Sequence, residues 1–441
     1  MYDMHDIAII GGGINGAGIA RDAAGRGLSV ILVEQKDFAG ATSSASSKLI
    51  HGGLRYLENY EFRMVREALL ERERLLKIAS NIIWPLDFIL PHTPSMRPKW
   101  LIRLGLWLYD HLAPRHVLRG SQSIALADYG LLDHYTHGFS YQDCWVDDAR
   151  LVLANVKDAA SKGAICYNYN GCAQARRHKD YWELQLEKGQ TFKARILVNA
   201  TGVFAARFAS DAGAPTEGKI RPVKGSHIVV PRLHNGEQAF ILQQEDGRVV
   251  FVSPYEDDYS LIGTTDIPCE EMGDFKISEE EVEYLCACVN RYFSTHITKE
   301  SVVWSYSGAR ALYDDGKSSA SKNTRDYVLE LDAQQAPILS VLGGKVTTYR
   351  ILAEHALEKL APFLPYMPRK SWSSEQPLPD SYPPNEGDML VEGVSVQMLE
   401  HCVNHEWTKT AEDFLFRRTK LGLHLSKEDI SQIEAWFESQ S

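Results

Sequence analysis

The sequence predicts an α/β domain on a parallel sheet, an α+β domain with a largely antiparallel sheet interleaved in it, and a small all-α cap at the carboxyl end. Three observations carry this reading. Residues 6–34 alternate apolar runs with a glycine turn in a βαβ pattern, residues 218–267 change to short β-rich runs, and a proline-rich stretch at 362–384 precedes three amphipathic segments.

Residues 6–10 read as a buried strand, 11–16 as a glycine turn, 17–26 as a helix and 28–34 as a second strand. Gly11, Gly13 and Gly16, with Gly12, Ile14 and Asn15 between them, fit G-x-G-x-x-G. Missing side chains there permit a tight turn, close approach of a pyrophosphate to bare amides, and close packing of helix on strand. The helix amino terminus adds free N–H groups and partial positive charge. Glu34, followed by Gln35, closes the second strand where a carboxylate accepts from ribose hydroxyls and repels a 2′-phosphate. This is a Rossmann-type dinucleotide site. The next stretch favours FAD over NAD: Thr42, Ser43 and Ser47 belong to a donor-rich run leading to Lys48, Leu49 and HGGLRYL, which suits a long cofactor lying extended. Its flank of Leu49, Ile50, Leu54 and Leu57 is too apolar for a solvated tether.

A length of 441 residues implies two or three domains. Hydrophobic content of 44% and charged content of 24% are those of a globular protein, and a net charge of −11 argues against nucleic acid as a principal partner. Seven cysteines without C-x-x-C point to a reduced environment and to no metal site. Cys286 and Cys288, two apart on a predicted helix, are expected on different sides of it. The amino terminus leads straight into the first strand, leaving no room for a signal peptide, and no run of 18 apolar residues suggests a transmembrane helix.

The expected domain layout is a first FAD-binding part at 1–80, a mixed segment at 81–150, and a second FAD-binding part at 151–217. The substrate domain follows at 218–335, joined by part of 81–150, then the last FAD-binding part at 336–361, a proline-rich linker at 362–387 and the helical cap at 388–441. Residues 61–80 read as an amphipathic helix. Residues 96–120 set Arg97, Lys99, Arg103, Arg115 and Arg119 against one acid, Asp110, among tryptophans and leucines. Two readings stand for that stretch: a helix lying in an anionic membrane interface, or a buried helix with arginines at its ends. Residues 194–199 form a strand ending in the small-residue turn at Gly202, and 338–360 a strand entering a helix through Gly344, Lys345, Val346 and Thr347. Both turns offer backbone amides to the same ligand.

Taken in order, GGGINGAGIA, ATSSASSKLIHGGLRYLE, CWVDDARLVLAN, VNATG, KGSHIVVP, IGTTD, YSGAR, TRDY and LSVLGGKVTTYR resemble the FAD-dependent glycerol-3-phosphate dehydrogenases of the bacterial aerobic respiratory kind. The likeness spans residues 2–360, with NHEW and FRRTKLGL extending it. It implies oxidation of sn-glycerol 3-phosphate to dihydroxyacetone phosphate, FAD passing electrons to membrane quinone, at the cytoplasmic face of the membrane as a peripheral protein. It further implies a substrate pocket of Arg55, Tyr56, His227, Arg310, Arg325 and Lys345, with Arg310 and Arg325 chiefly on phosphate.

Within that pocket His227 is the favoured base, because an ordinary imidazole titrates at about 6.5, near working pH. Lys345 is the alternative, or a stabiliser of developing negative charge. An isoalloxazine between the nucleotide fold and the β-rich domain is the expected arrangement. The chain departs from the family in reading YSGARAL, with Ala311 where proline is usual, and in its brief carboxyl-terminal region. Two rivals remain: an oxidase delivering electrons to dioxygen, and a non-catalytic FAD-binding membrane scaffold. Oligomeric state is left open, a homodimer included.

Overall fold

The computed structural model describes residues 4–93, 96–269, 273, 275–314, 326–364, 366, 371–379 and 382–440. They pack as two compact units: Met1–Ser44, Asp147–Arg221 and Ala311–Ser441 form the first, Ala45–Val146 and Pro222–Arg310 the second.

The first unit is built on a sheet of order Val328–Asp332, Ile338–Leu342, Thr191–Asn199, Met4–Ile10, Val30–Val33, Ile165–Tyr167. Its central pairs are parallel, and Ile7, Ala8 and Ile9 are wholly buried, as both-face burial requires. The Ile14–Gly25 helix packs against the helices Asp148–Ser161 and Tyr349–Leu360. The helix starts at Ile14 rather than residue 17, so the glycine turn is shorter than its motif. The second strand starts at Val30, because Gly27 turns the chain at φ +89°. The small meander Cys172–Arg177 and Trp182–Leu186 joins the edge of Thr191–Asn199 by antiparallel pairing.

Part of the proline-rich stretch is docked rather than extended. Trp372 lies where any side chain on Gly25 would stand, its Nε1–H donates to the Asp22 carbonyl at 3.2 Å, and Arg21 sits 4.9 Å from its ring. Arg21 also donates to the Ser373 and Gln376 carbonyls. The cap begins with a hairpin, Met389–Val391 with Val394–Ser395, and is otherwise helical: Val396–His405, a π turn Asp413–Arg418, and Lys427–Ser439. Leu399, Cys402, Phe414 and Ile433 form its core. Asp37, buried just beyond the Val30–Val33 strand, accepts from Arg418 at 2.5 and 2.8 Å and from Arg417 at 2.7 Å, locking cap to βαβ unit.

The second unit has a sheet of order Ile267–Pro268, Lys219–Pro231, Tyr259–Gly263, Val249–Tyr255, Ala239–Gln243, Ile83–His92, His137–Val146, Leu49–Ile50, with Trp304–Asp314 beside Lys219–Pro231. Along that order the pairs are antiparallel except where Ala239–Gln243 meets Ile83–His92. The Glu279–Asn290 helix closes a core of Ile228, Val230, Phe240, Leu242, Leu285 and Val289. Cys286 and Cys288 are both buried there, so the helix is covered more broadly than a two-residue offset suggests. The sequence layout ends the first FAD-binding part at residue 80; packing divides the chain after Ser44. Leu49–Ile50 pairs with Cys144 and Trp145, and Arg72 of the Phe62–Ile78 helix is buried on Asp143, which draws residues 45–80 into the second unit.

The Lys99–His111 helix buries only Leu106 and Tyr109, leaving Trp100 (69% exposed), Leu104 (45%) and Trp107 (49%) on the surface. The buried-helix reading therefore fails. The basic residues are largely engaged within the fold: Arg97 pairs with Glu58, Arg115 with Asp110 and Arg119 with Asp87, while Arg103 donates to Ser121. No helix among the described residues is long and apolar enough to cross a membrane.

Candidate active site

In the first unit the site is made of backbone. Gly11 has φ +111°, and a Cβ there would lie 2.4 Å from the Ala200 carbonyl oxygen; one on Gly16 would lie 1.9 Å from the Gly11 carbonyl oxygen. Only glycine lets the turn, the helix and the strand end at Asn199 meet this closely. Gly13 ends the turn with no capping side chain, and Ser43 Oγ accepts the Ile14 N–H at 2.9 Å. Glu34 accepts Gly12 N–H at 2.6 Å and Lys36 N–H at 2.9 Å. Burial pushes its pKa up against the pull of amides from Lys36, Gly12 and Gln35. Gln35 is exposed.

Among the remaining predicted positions of this unit, Asn15 and Gly344 meet at the turn. Asn15 Nδ2 donates to the Gly343 carbonyl at 3.1 Å, and a Cβ on Gly344 would meet the Asn15 amide at 2.6 Å. Gly202, at φ +61°, has open space around its Cβ direction. Lys345 heads the Val346–Thr348 turn that enters the Tyr349–Leu360 helix, and Thr347 is buried. The buried Asn15 Oδ1 has no hydrogen-bond partner among the described protein atoms. An unfilled acceptor beside a cradle that excludes Cβ atoms fits a dinucleotide cofactor.

In the second unit the site is made of side chains. His227 is 2% exposed, its Nε2 lies 2.9 Å from Ser47 Oγ, and its ring stacks on Tyr306 at 4.8 Å. Gly263 stands opposite it in the sheet, and a Cβ there would lie 2.0 Å from the imidazole Cδ2. The imidazole occupies space the glycine leaves. Tyr306 is fixed in turn by donating to the Ser46 carbonyl at 2.8 Å, with the Lys48 ammonium 5.3 Å from its ring.

Burial, then the charges of Arg310 and Lys48, hold the His227 pKa well below the usual imidazole range. This corrects the sequence argument, which took an unperturbed value: His227 is neutral throughout the neutral range. Its Nδ1 has no hydrogen-bond partner among the described protein atoms.

Arg310 pairs through Nη1 with Asp266, both about one-third exposed (38% and 37%), and packs over Gly225, where a Cβ would lie 3.0 Å from Nη2. Arg55 is exposed and donates to the Gly247 carbonyl at 2.7 Å; Tyr56 lies against Gly53. Ser47, Lys48 and Leu49, read from sequence as cofactor contacts, belong to this unit, Ser47 on His227 and Leu49 in the sheet. Arg325 lies outside the described residues. Sequence reasoning missed Asp266, Tyr306 and Gly263, although each lies inside or beside a motif it quoted. It also missed Glu281, whose signal is the capping-box spacing Ser278-x-x-Glu281.

Known proteins share this chain's sequence or fold over most of its length. Residues 6–350 match the family model described as FAD dependent oxidoreductase. The chain is 44% identical to a D-erythritol 1-phosphate dehydrogenase of Brucella abortus, covering 98% of each. It is 45% identical to the aerobic glycerol-3-phosphate dehydrogenase of Escherichia coli, over 98% of this chain and 97% of that one. Its fold is similar to the FAD-complexed glycerol-3-phosphate dehydrogenase of Bacillus halodurans, with TM-score 0.73 and 22% identity over 99% of this chain and 94% of the other.

Proposed function

The chain belongs to the FAD-dependent oxidoreductase family, and within it we propose that the protein oxidises sn-glycerol 3-phosphate to dihydroxyacetone phosphate and passes the electrons to membrane quinone. The single observation that carries the reading is the 45% identity, over nearly full length, to an enzyme named for this substrate, in a chain that keeps His227 and Arg310 in one unit. Gly11 to Gly16, Glu34, Gln35, Thr42, Ser43, Gly202 and residues 344–347 would hold FAD, which when bound would supply a hydride acceptor.

His227 takes the hydroxyl proton as the carbonyl forms. Its neutral ring is an acceptor, and Ser47 with Tyr306 fixes its plane. Arg310 binds phosphate: a guanidinium has five donors, and the Asp266 contact engages Nη1. Arg325 and Arg55 add charge, Tyr56 lines the pocket, and Lys345 offsets developing negative charge.

A second reading has a specific observation behind it: the 44% identity to a D-erythritol 1-phosphate dehydrogenase makes the four-carbon polyol phosphate a competing substrate. Both readings share a secondary alcohol on a phosphorylated polyol. Anaerobic addition of each compound to the yellow protein tests them. Bleaching by glycerol 3-phosphate at lower concentration supports the first, bleaching by erythritol 1-phosphate the second, and bleaching by neither removes both. Rates with a quinone analogue against dioxygen separate dehydrogenase from oxidase. The exposed Trp100, Leu104 and Trp107 support peripheral attachment to a membrane surface, and the family resemblance implies the cytoplasmic face.

A further inference from the structure

Two motifs that carry the second unit's site send a hydroxyl to one residue outside them, Glu281, and the hydroxyl of a third motif reaches it through the first. Glu281 is 3% exposed, near the start of the Glu279–Asn290 helix. Its Oε1 accepts from Ser226 Oγ at 2.8 Å and Thr265 Oγ1 at 2.7 Å; its Oε2 takes Lys224 Nζ at 2.7 Å and Ser278 N–H at 2.8 Å. Ser226 spends its one hydroxyl proton on Glu281, so in the 2.8 Å contact with Ser307 Oγ it is Ser307 that donates. Thr265 Oγ1 also accepts the Ser226 N–H at 2.9 Å. Burial would raise the carboxyl pKa; the Lys224, Ser278, Thr265 and Ser226 donors outweigh it and hold Glu281 below the ordinary range, ionised.

Each of the three hydroxyl residues is the chain neighbour of a site residue. Ser226 precedes His227 and Ser307 follows Tyr306 on neighbouring strands, so alternation sends the two hydroxyls to one face of the sheet and the stacked rings to the other. Thr265 precedes Asp266, the partner of Arg310. We propose that Glu281 is a positioning residue of the substrate site: by holding Ser226 and Thr265 directly, and Ser307 through Ser226, it fixes His227, Tyr306 and the Asp266–Arg310 pair in front. A buried carboxylate with every acceptor site engaged is a rigid pin, whereas water or a neutral amide in its place is not.

This inference rests on the polyol-phosphate reading for its kinetic test, made on the holoenzyme with sn-glycerol 3-phosphate and a quinone analogue. Glu281→Gln keeps an amide oxygen for the Lys224 and Ser278 donors but presents an Nε2 donor to Ser226 and Thr265, whose hydroxyls can then no longer donate there. It is expected to retain FAD while kcat/KM falls about 10- to 100-fold, mainly through KM, since displacement of about 1 Å costs that much. Glu281→Asp, which keeps the charge, should recover part of the loss. A Glu281→Gln protein with full FAD and kcat/KM within about twofold of the parent overturns the proposal. Where Glu281→Gln does not fold, Ser307→Ala decides: KM raised severalfold at unchanged melting temperature supports it, unchanged KM overturns it. His227 gives a readout independent of substrate. Its ring titration followed by NMR should shift in Glu281→Gln, and an unshifted titration overturns the proposal even if neither polyol phosphate reduces the parent flavin, the outcome that defeats the substrate reading instead.

Discussion

The two units hold their sites in opposite ways. The nucleotide turn is shaped by what is missing, glycines at 11 and 16 letting main chain approach main chain, and its donors are amides that the fold itself fixes. The proposed substrate site is shaped by what is present: an imidazole, a phenol, a guanidinium and a carboxylate, each oriented by another side chain. A backbone site tolerates no change of shape, and a side-chain site no change of partner. The first therefore announces itself in sequence spacing and the second does not.

The sharpest way to break this contrast is a pair of glycine substitutions of similar steric demand. Gly16→Ala, with its Cβ 1.9 Å from a carbonyl oxygen, should yield protein without flavin absorbance. Gly263→Ala, with its Cβ 2.0 Å from the His227 ring, should stay yellow while kcat/KM drops about 100-fold. Flavin loss in both would erase the distinction. Of similar size, Arg310→Ala should raise the KM for glycerol 3-phosphate by an amount equivalent to roughly 1.5 to 3 kcal/mol with FAD content unchanged; steady-state kinetics beside flavin absorbance decides.

Acid should act on the second unit through its histidines. Burial, then the Arg232 charge, lowers His234 to about 4, and burial, then Arg310 and Lys48, holds His227 well below its ordinary value. Depressed folded-state values mean that the unfolded chain binds protons first. Stability is thus full above an unfolded pKa of about 6.5 and declines as pH falls through the window towards 4. Melting temperatures across that window should fall, and His234→Gln should flatten part of the decline. The smallest stability effect belongs to the surface: Trp107→Ser, half-exposed in the parent, should change stability by no more than about 0.5 kcal/mol yet reduce co-sedimentation with lipid vesicles. Unaltered vesicle binding would count against membrane attachment through this helix.

Much of the first unit was legible because its constraints are local. The glycine spacing, Glu34 and the apolar strands each act within a few residues, and the structure shifts only their ends, to Ile14 and Val30. The unit boundary after Ser44 was not legible, because the residues that decide it, Arg72 with Asp143 and Leu49 with Trp145, are far apart in the chain. His227 and Arg310 were reached through resemblance, but the depressed imidazole depends on burial and neighbouring charges that no spacing reveals. Glu281 reads in sequence as an ordinary helix cap, which it also is; its contacts with Ser226 and Thr265 exist only once the sheet has formed.

The lock of Arg418 and Arg417 on Asp37, with Trp407 edge-on to Phe38 at 5.4 Å, bears on how such chains can be recombined. Phe38 also fills the space beside Gly12, so the cap reaches the glycine turn through one ring. A chimera that exchanges residues 388–440 for another protein's cap has to bring a matching 37–38 segment with it. Excision at residue 387 strips an interior carboxylate of its cations and does not liberate a self-sufficient nucleotide module.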